Sequence, residues 1–285
     1  PARSSALADE IAAKRPDVVG LQEAALWRSQ YPADFSPVPN AHHVEYDFVK
    51  TILADLRTRG LHYEVVAEVR DIDIELPRLN ADADGNPDPQ DIRWTDRDVL
   101  LACTDAASDV TVLGARSGRF SSFLDYGGGI AIPRGWVSGD FKVRGVPFRV
   151  VSSHLEDGDA SVQMAQAEEL LAVGGDSGLP TLFIGDYNSN ANPDATSAPY
   201  DFLIASGLTD AWSAAHPHDP GFTCCQAPDL LNATSLLDQR IDLVLFRGPV
   251  QVLDVARVGA SVSDKVAGLW PSDHAGVAAT LRIAR

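Results

Sequence analysis

Apolar residues recur along this chain with two different periods. Over residues 4–14, Leu7, Ala8 and Ile11 share one face when wound at roughly 3.6 residues per turn, so the segment predicts a helix that Pro16 stops. Residues 18–22 are mostly apolar and predict a buried strand ending at Glu23. Tyr46, Val49, Ile52, Leu53 and Leu56 return to helical spacing and predict a helix over 45–59, closed by Gly60. Residues 63–69 alternate as a strand does. Residues 80–97 are acidic, carry Pro87 and Pro89, and predict a loop. Further strands are expected at 99–101, 110–113, 130–132, 148–152, 181–184, 241–246 and 277–283. A helix is expected over 160–172, with Met164, Ala167, Leu170 and Leu171 inward, and a short one around 202–205.

Strands and helices interleave, but consecutive strands dominate the middle. That mixture predicts an α/β (α+β) fold of two packed mixed β-sheets with helices outside, rather than a doubly wound parallel sheet. No linker or repeat interrupts it, so residues 1–285 are expected to form a single domain, and the protein to be a monomer.

Composition narrows the function. The chain has 285 residues, 45% of them hydrophobic, as ordinary globular domains do. No apolar run approaches the ~18 residues of a membrane span. Forty acidic residues against 23 basic give a net charge of -17, which disfavours polymeric nucleic acid as a partner. Only four of the basic residues are lysines: Lys14, Lys50, Lys142 and Lys265. Cys103, Cys224 and Cys225 make an odd set whose pairing stays open. The sequence starts at Pro1 without methionine, and a secreted or periplasmic location is expected over a cytoplasmic one.

The chemistry is carried by polar residues that follow apolar strands, because a strand end aims a side chain from a rigid support. Four such junctions occur: Leu21-Gln22-Glu23, Ser153-His154-Leu155-Glu156, Gly185-Asp186-Tyr187-Asn188, and Ser272-Asp273-His274. Asp186 and Asn188 are two apart and share a face on an extended segment. A carboxylate beside an amide suits a hard cation and a phosphate oxygen. Asp242 interrupts an apolar strand and needs a partner for its burial; a histidine is the natural one.

In this order, the motifs resemble the endonuclease/exonuclease/phosphatase, or DNase I-like, superfamily, from Pro16 to the C-terminus. The resemblance implies a four-layer sandwich with its site at one rim, and a divalent-metal-dependent phosphoesterase. It implies Mg²⁺, with Mn²⁺ or Ca²⁺ as alternatives, held by Glu23 and Asp273. His154 would contact the scissile phosphate or protonate the leaving group. Asp186 would orient or deprotonate the attacking water, and Asn188 would hold a phosphate oxygen. Asp242 would pair with His274, which would stabilise charge on phosphorus or act as base. The family also opens with a strand ending in a metal-binding asparagine; the given sequence begins at the following helix, so that strand is expected to lie before Pro1, the alternative being a protein without this ligand.

The expected substrate is a small or lipid-derived phosphoester. A secreted endonuclease of the same superfamily, or a non-catalytic binding protein with the fold, are the alternatives. Arg97 and Arg134 are candidates for binding a substrate anion. Arg93, Trp94, Arg97 and Trp136 would line a groove in a nuclease. Asn80, Asp82, Asp84 and Asp91 match the spacing of a calcium loop, against the plainer reading of a solvated acidic loop. The glycine run 127–129 reads as a turn.

Overall fold

The computed structural model describes residues 2–284 apart from 83, 128, 129, 176, 177 and 193. Gly128 and Gly129 of the glycine run therefore lie outside the described residues. The chain opens with helix α1 (Ala2–Lys14), strands β1 (Val18–Leu21), β2 (Leu26–Gln30) and β3 (His43–Asp47), and helix α2 (Phe48–Thr58). Seven strands follow: β4 (Tyr63–Arg78), β5 (Gln90–Cys103), β6 (Val110–Arg119), β7 (Leu124–Gly127), β8 (Ile130–Ile132), β9 (Gly135–Val143) and β10 (Val146–His154). The second half contains α3 (Ala160–Gly174), β11 (Thr181–Asp186), α4 (Ala198–Ala205), β12 (Thr209–Asp210), α5 (Ala211–Ala215), β13 (Asp242–Arg247), β14 (Val250–Val258) and β15 (Gly276–Ile283).

The strands form two main sheets. One runs β1-β5-β2-β3 with β4 on the other side of β5, antiparallel throughout. The other runs β12-β13-β11-β10-β9-β6 and is mixed, because β10 and β11 are parallel. Strand β5 is the spine of the first sheet. Every residue from Thr95 to Cys103 is buried, with Leu100 and Ala102 facing the second sheet and Val99, Leu101 and Cys103 facing the helices. Between the sheets lie Val69, Val137, Phe141, Phe148 and Val150. Helices α1 and α2 cover the first sheet through Ala8, Ile52 and Leu56; α3 and α4 cover the second through Ala167, Leu170 and Leu203. The result is the expected four-layer sandwich, with β14–β15 as a separate ribbon.

Several expectations need correction. The helix expected over 45–59 begins at Phe48. Residues 43–47 pair instead with β2, and Asp47 caps the helix by accepting from the Lys50 N–H. The loop expected over 80–97 ends at Gln90. Its charges do not keep it out of the sheet because Arg93 and Thr95 on β5 both bond Asp73 on β4. In α3 the buried face carries Gln163 and Gln166, while Met164 is only partly covered. No strand precedes α1 among the described residues, and β1 pairs on one side only. Among the described residues no helix is long and apolar enough to cross a membrane.

Candidate active site

One row across the second sheet builds the site. His154 closes β10, Asp186 closes β11 and Asp242 opens β13, and their backbones stand in direct register. Residues opposite one another in adjacent strands project to the same face, so the row gathers an imidazole and two carboxylates. Gly185 makes the parallel approach of β10 and β11 possible. Its φ is +136°, and a Cβ there would lie 2.0 Å from the Ser153 carbonyl oxygen.

His274 arrives from a loop held in place by backbone pairing. Ala275 N–H donates to the Thr223 carbonyl, and Gln226 N–H to that of Asp273. The Thr223 hydroxyl accepts from the N–H groups of Ile241 and Asp242, fixing the start of β13. These contacts set His274 Nδ1 at 2.9 Å from Asp242 Oδ2 and 3.7 Å from Asp186 Oδ2. Burial alone would lower the His274 pKa, but the Asp242 hydrogen bond and the charges of Asp242, Asp186 and Asp273 outweigh it and push it to about 10. The ring is an imidazolium at neutral pH. Asp186 is pushed up to about 8, first by burial and then by Asp242, against the pull of His274 and the Asn188 N–H.

His154 is different. It is 2% exposed, and the Arg134 guanidinium stands 3.0 Å from its Nδ1. Arginine only donates, so this contact needs the lone pair on Nδ1. Burial first, then the charges of Arg134 and His274, hold its pKa well below the usual imidazole value. Nε2 faces Asp186 Oδ2 at 3.6 Å and the Asn188 amide nitrogen, also a donor, at 3.0 Å; a neutral ring accepts at one nitrogen only, so Arg134 and Asn188 compete for it. Asn188 adopts φ +46°, in the left-handed region that asparagine tolerates. Its loop is pinned by Gln163 of α3, which donates to the carbonyls of Tyr187 and Asn188.

Glu23 sits at the facing sheet's edge, on a residue with φ +52° that breaks the path between β1 and β2. Gln22 joins the two sheets by donating to the Ser152 hydroxyl at 2.9 Å. Glu23, Asp96 and His154 bring one potential ligand atom each within 4.8 Å of one another. Glu23 is solvent-exposed as a residue, yet its pKa is raised, first by partial burial and then by Asp96, with Asp273 adding and Arg134 and His274 opposing. Asp96 is 2% exposed and one of its oxygens has no hydrogen-bond partner. Converging carboxylates with an unpartnered buried oxygen suit a hard divalent cation. Beside them Asp71 and Asp98 are buried with both oxygens unpartnered. Asp71 is pushed up to about 8 by burial and then by Asp96; Asp98 goes well above the carboxylate range by burial and then by Asp71.

The structure thus brings together Glu23, His154, Asp186, Asn188, Asp242, Asp273 and His274. It corrects other expectations. Arg97 is 5% exposed and spent on the Ala24 carbonyl and the Asp47 carboxylate, so it has no donor left facing substrate. Arg134 stands beside His154, and also meets Asp96, Glu156 and Asp157 at 3.6–3.9 Å. The calcium loop does not assemble. Asp82 accepts from Asp84, Asn86 and its amide, whereas Asp91 lies on β5 and clusters with Asp34 and Glu75. No cluster of three potential ligands among the described residues includes Asp82 or Asp84. The basic aromatic groove is not assembled either: Arg93 is paired to Asp73, and Trp94 stacks on Trp27 at 6.1 Å.

Sequence reasoning missed Asp96, Asp98, Gln163 and Thr223. Asp96 was hidden in the presumed loop and Asp98 lay between it and the next expected strand, although an i, i+2 pair of acids running into an apolar strand signals two carboxylates on one inward face.

The chain matches the endonuclease/exonuclease/phosphatase family model over residues 1–274. No curated protein matches it by sequence. Among solved structures it is similar to an endonuclease/exonuclease/phosphatase family protein from Bacteroides thetaiotaomicron, 17% identical, TM-score 0.62, covering 99% of this chain and 89% of that one. It is also similar to the mannosyl-6-phosphatase Bt3783 of the same organism, 18% identical, TM-score 0.59, covering 99% and 91%. A third similar structure is TDP2 of D. rerio complexed with a single-strand DNA product, 17% identical, TM-score 0.60, covering 98% and 91%.

Proposed function

The chain belongs to the endonuclease/exonuclease/phosphatase family, hydrolases of phosphoester bonds, and from that premise we propose that it uses a divalent cation to hydrolyse a small or lipid-derived phosphoester. The observation that carries this reading is the in-register row His154, Asp186 and Asp242, with His274 held 2.9 Å from Asp242.

Glu23, Asp96 and Asp273 would hold the cation. Bound there, it supplies a Lewis acid for the phosphoryl oxygens and countercharge for the carboxylates. The Arg134 guanidinium already occupies the Nδ1 side of His154, which argues for keeping that ring out of the ligand set. In its ionised form Asp186 takes a proton from the attacking water; its raised pKa makes that carboxylate a stronger base than an ordinary one but leaves it ionised only above about pH 8. The water oxygen bonds to phosphorus as the bond to the leaving alcohol oxygen breaks. His274 donates to Asp242 through Nδ1–H and presents its cationic ring to the charge developing on the phosphoryl oxygens. His154, neutral, lines the same pocket beside Asp186 and Asn188. The leaving oxygen departs as alkoxide and takes a proton from solvent while Asp186 returns its own, so the products are an alcohol and a phosphate, or a phosphomonoester where the substrate is a diester.

A net charge of -17 and the pairing of Arg28 and Arg93 with Asp73 disfavour a polymeric nucleic-acid substrate. The test is hydrolysis of an aryl phosphomonoester, an aryl phosphodiester and single-stranded DNA, with Mg²⁺ and with chelator. Turnover of an aryl ester that needs the cation and exceeds DNA cleavage supports the reading. Turnover that chelation leaves unchanged, or DNA as the preferred substrate, overturns it.

A further inference from the structure

The strand-like segment that carries Thr223 also carries two adjacent cysteines against the site. Cys224 and Cys225 are joined by a disulfide, and Cys103 is a free, buried thiol far along the chain. Cys224 forms a β-bridge with His274, which sets the two residues side by side. Both sulfurs and one His274 ring nitrogen fall within 4.8 Å of one another. Cys224 is 2% exposed, while Cys225 opens to solvent. Two sulfurs and an imidazole are the donor set of a borderline cation such as Zn²⁺, not of the hard cation that the carboxylates suit. In the disulfide the sulfurs have no thiolate charge to offer, so the set is silent until it is reduced.

We propose that Cys224, Cys225 and His274 form a redox-gated inhibitory site for a thiophilic cation such as Zn²⁺, closed as the disulfide and opened by thiol reduction. A reductant thiolate attacks the exposed Cys225 sulfur, the bond between the cysteines breaks, and Cys224 leaves as thiolate. A second thiol attacks the mixed disulfide and frees Cys225. One protein disulfide and two reductant thiols thus become two cysteine thiols and one reductant disulfide. Cation binding displaces the two thiol protons and one ring proton of the His274 imidazolium. His274 then serves as a ligand and is withdrawn from the phosphoryl group. The inhibition rests on the catalytic reading of His274; the binding of the cation does not.

The experiment uses the full chain, oxidised or reduced with a phosphine, and Co²⁺ alone as probe. Reduced protein is expected to gain an intense near-ultraviolet thiolate-to-cobalt band at one added equivalent, and to lose it when Zn²⁺ is added. Oxidised protein and reduced Cys225→Ser should both lack that band. In aryl phosphoester hydrolysis with Mg²⁺, low-micromolar Zn²⁺ should slow the reduced parent at least ~10-fold more than Cys225→Ser, whose rate without Zn²⁺ stays at the parental value. No thiolate band in the reduced parent, or an equal band in Cys225→Ser, overturns the site. A band without selective inhibition in an enzyme that does hydrolyse phosphoesters overturns the sharing of His274. Failure to hydrolyse any phosphoester counts against the proposed function alone, and the cobalt band still decides the site.

Discussion

Replacing Asp242 by asparagine removes one negative charge and keeps the shape. In the parent, Asp242 Oδ2 accepts from His274 Nδ1 at 2.9 Å. Unit charges at that distance attract by about 6 kcal/mol at an effective dielectric of ~20. Burial of both groups takes back much of this, leaving the ~1.5–3 kcal/mol typical of a hydrogen bond to a charged partner. At about 1.4 kcal/mol per unit, the His274 pKa should fall from about 10 by about one to two units. Asp186, 3.7 Å away, keeps the remaining imidazolium in place. At neutral pH the ring stays charged, so the loss there reflects poorer orientation, on the order of 10–100-fold in kcat/KM. The distinguishing result is in the pH profile. For the parent, activity should rise through about pH 8 as Asp186 ionises, persist to near pH 10 and then fall as His274 loses its proton. In Asp242→Asn the alkaline limb should begin about one to two units earlier. The assay is kcat/KM against pH with Mg²⁺ and an aryl phosphoester. An unmoved alkaline limb, or a variant with parental kcat/KM, would refute the assignment of His274 as the working cation.

Other expectations concern stability. Glu10 is pushed up to about 7, by burial and then by Asp264 and Asp9, and one of its oxygens has no partner. Between its ordinary value and 7 the native state binds more protons than the unfolded state, so this residue makes stability fall as pH rises. Glu10→Gln should therefore be more stable than the parent at pH 8, by on the order of 2 kcal/mol, and the gain should vanish near pH 4 in urea unfolding. Arg240 is 2% exposed and paired with Asp210, which is 5% exposed. Arg240→Met should cost about 3–5 kcal/mol in the same assay, because it leaves a buried carboxylate without its cation. A Cβ at position 20 would stand 2.6 Å from Ser152 Oγ and 2.9 Å from Ile184 Cδ1, so Gly20→Ala should cost about 1–3 kcal/mol by forcing the two sheets apart.

The site was more legible than the sheets that hold it. His154 and Asp186 stand out because a polar residue at the end of an apolar strand interrupts a strong pattern; the same expectation for His274 needs correction, since it sits in the loop before β15 and follows no strand end. Strand β2 shows no such pattern: Arg28 and Gln30 occupy one face, and Ser29 is buried against Glu45 on the other. Strand β9 hides for a related reason, since Ser138 and Gly139 are buried where periodicity looks for large apolar residues. Tyr46 has helical spacing with Val49, yet it pairs across to Trp27, and strand pairing outweighed local spacing. In α3 the apolar pattern misses the working face, because Gln163 is turned inward to bond the site loop and Gln166 to bond Glu156 and Ser122. Long-range hydrogen bonds of that kind leave no trace in a one-dimensional pattern.

The most direct measurement is the kcat/KM of Asp186→Asn against the parent, with Mg²⁺ and an aryl phosphoester at about pH 9, between the pKa of Asp186 and that of His274. If Asp186 deprotonates the attacking water, the variant should fall at least ~100-fold while retaining the parental fold by circular dichroism, and chelator should silence the parent. A folded variant with parental activity would contradict the account, as would a parent indifferent to chelator.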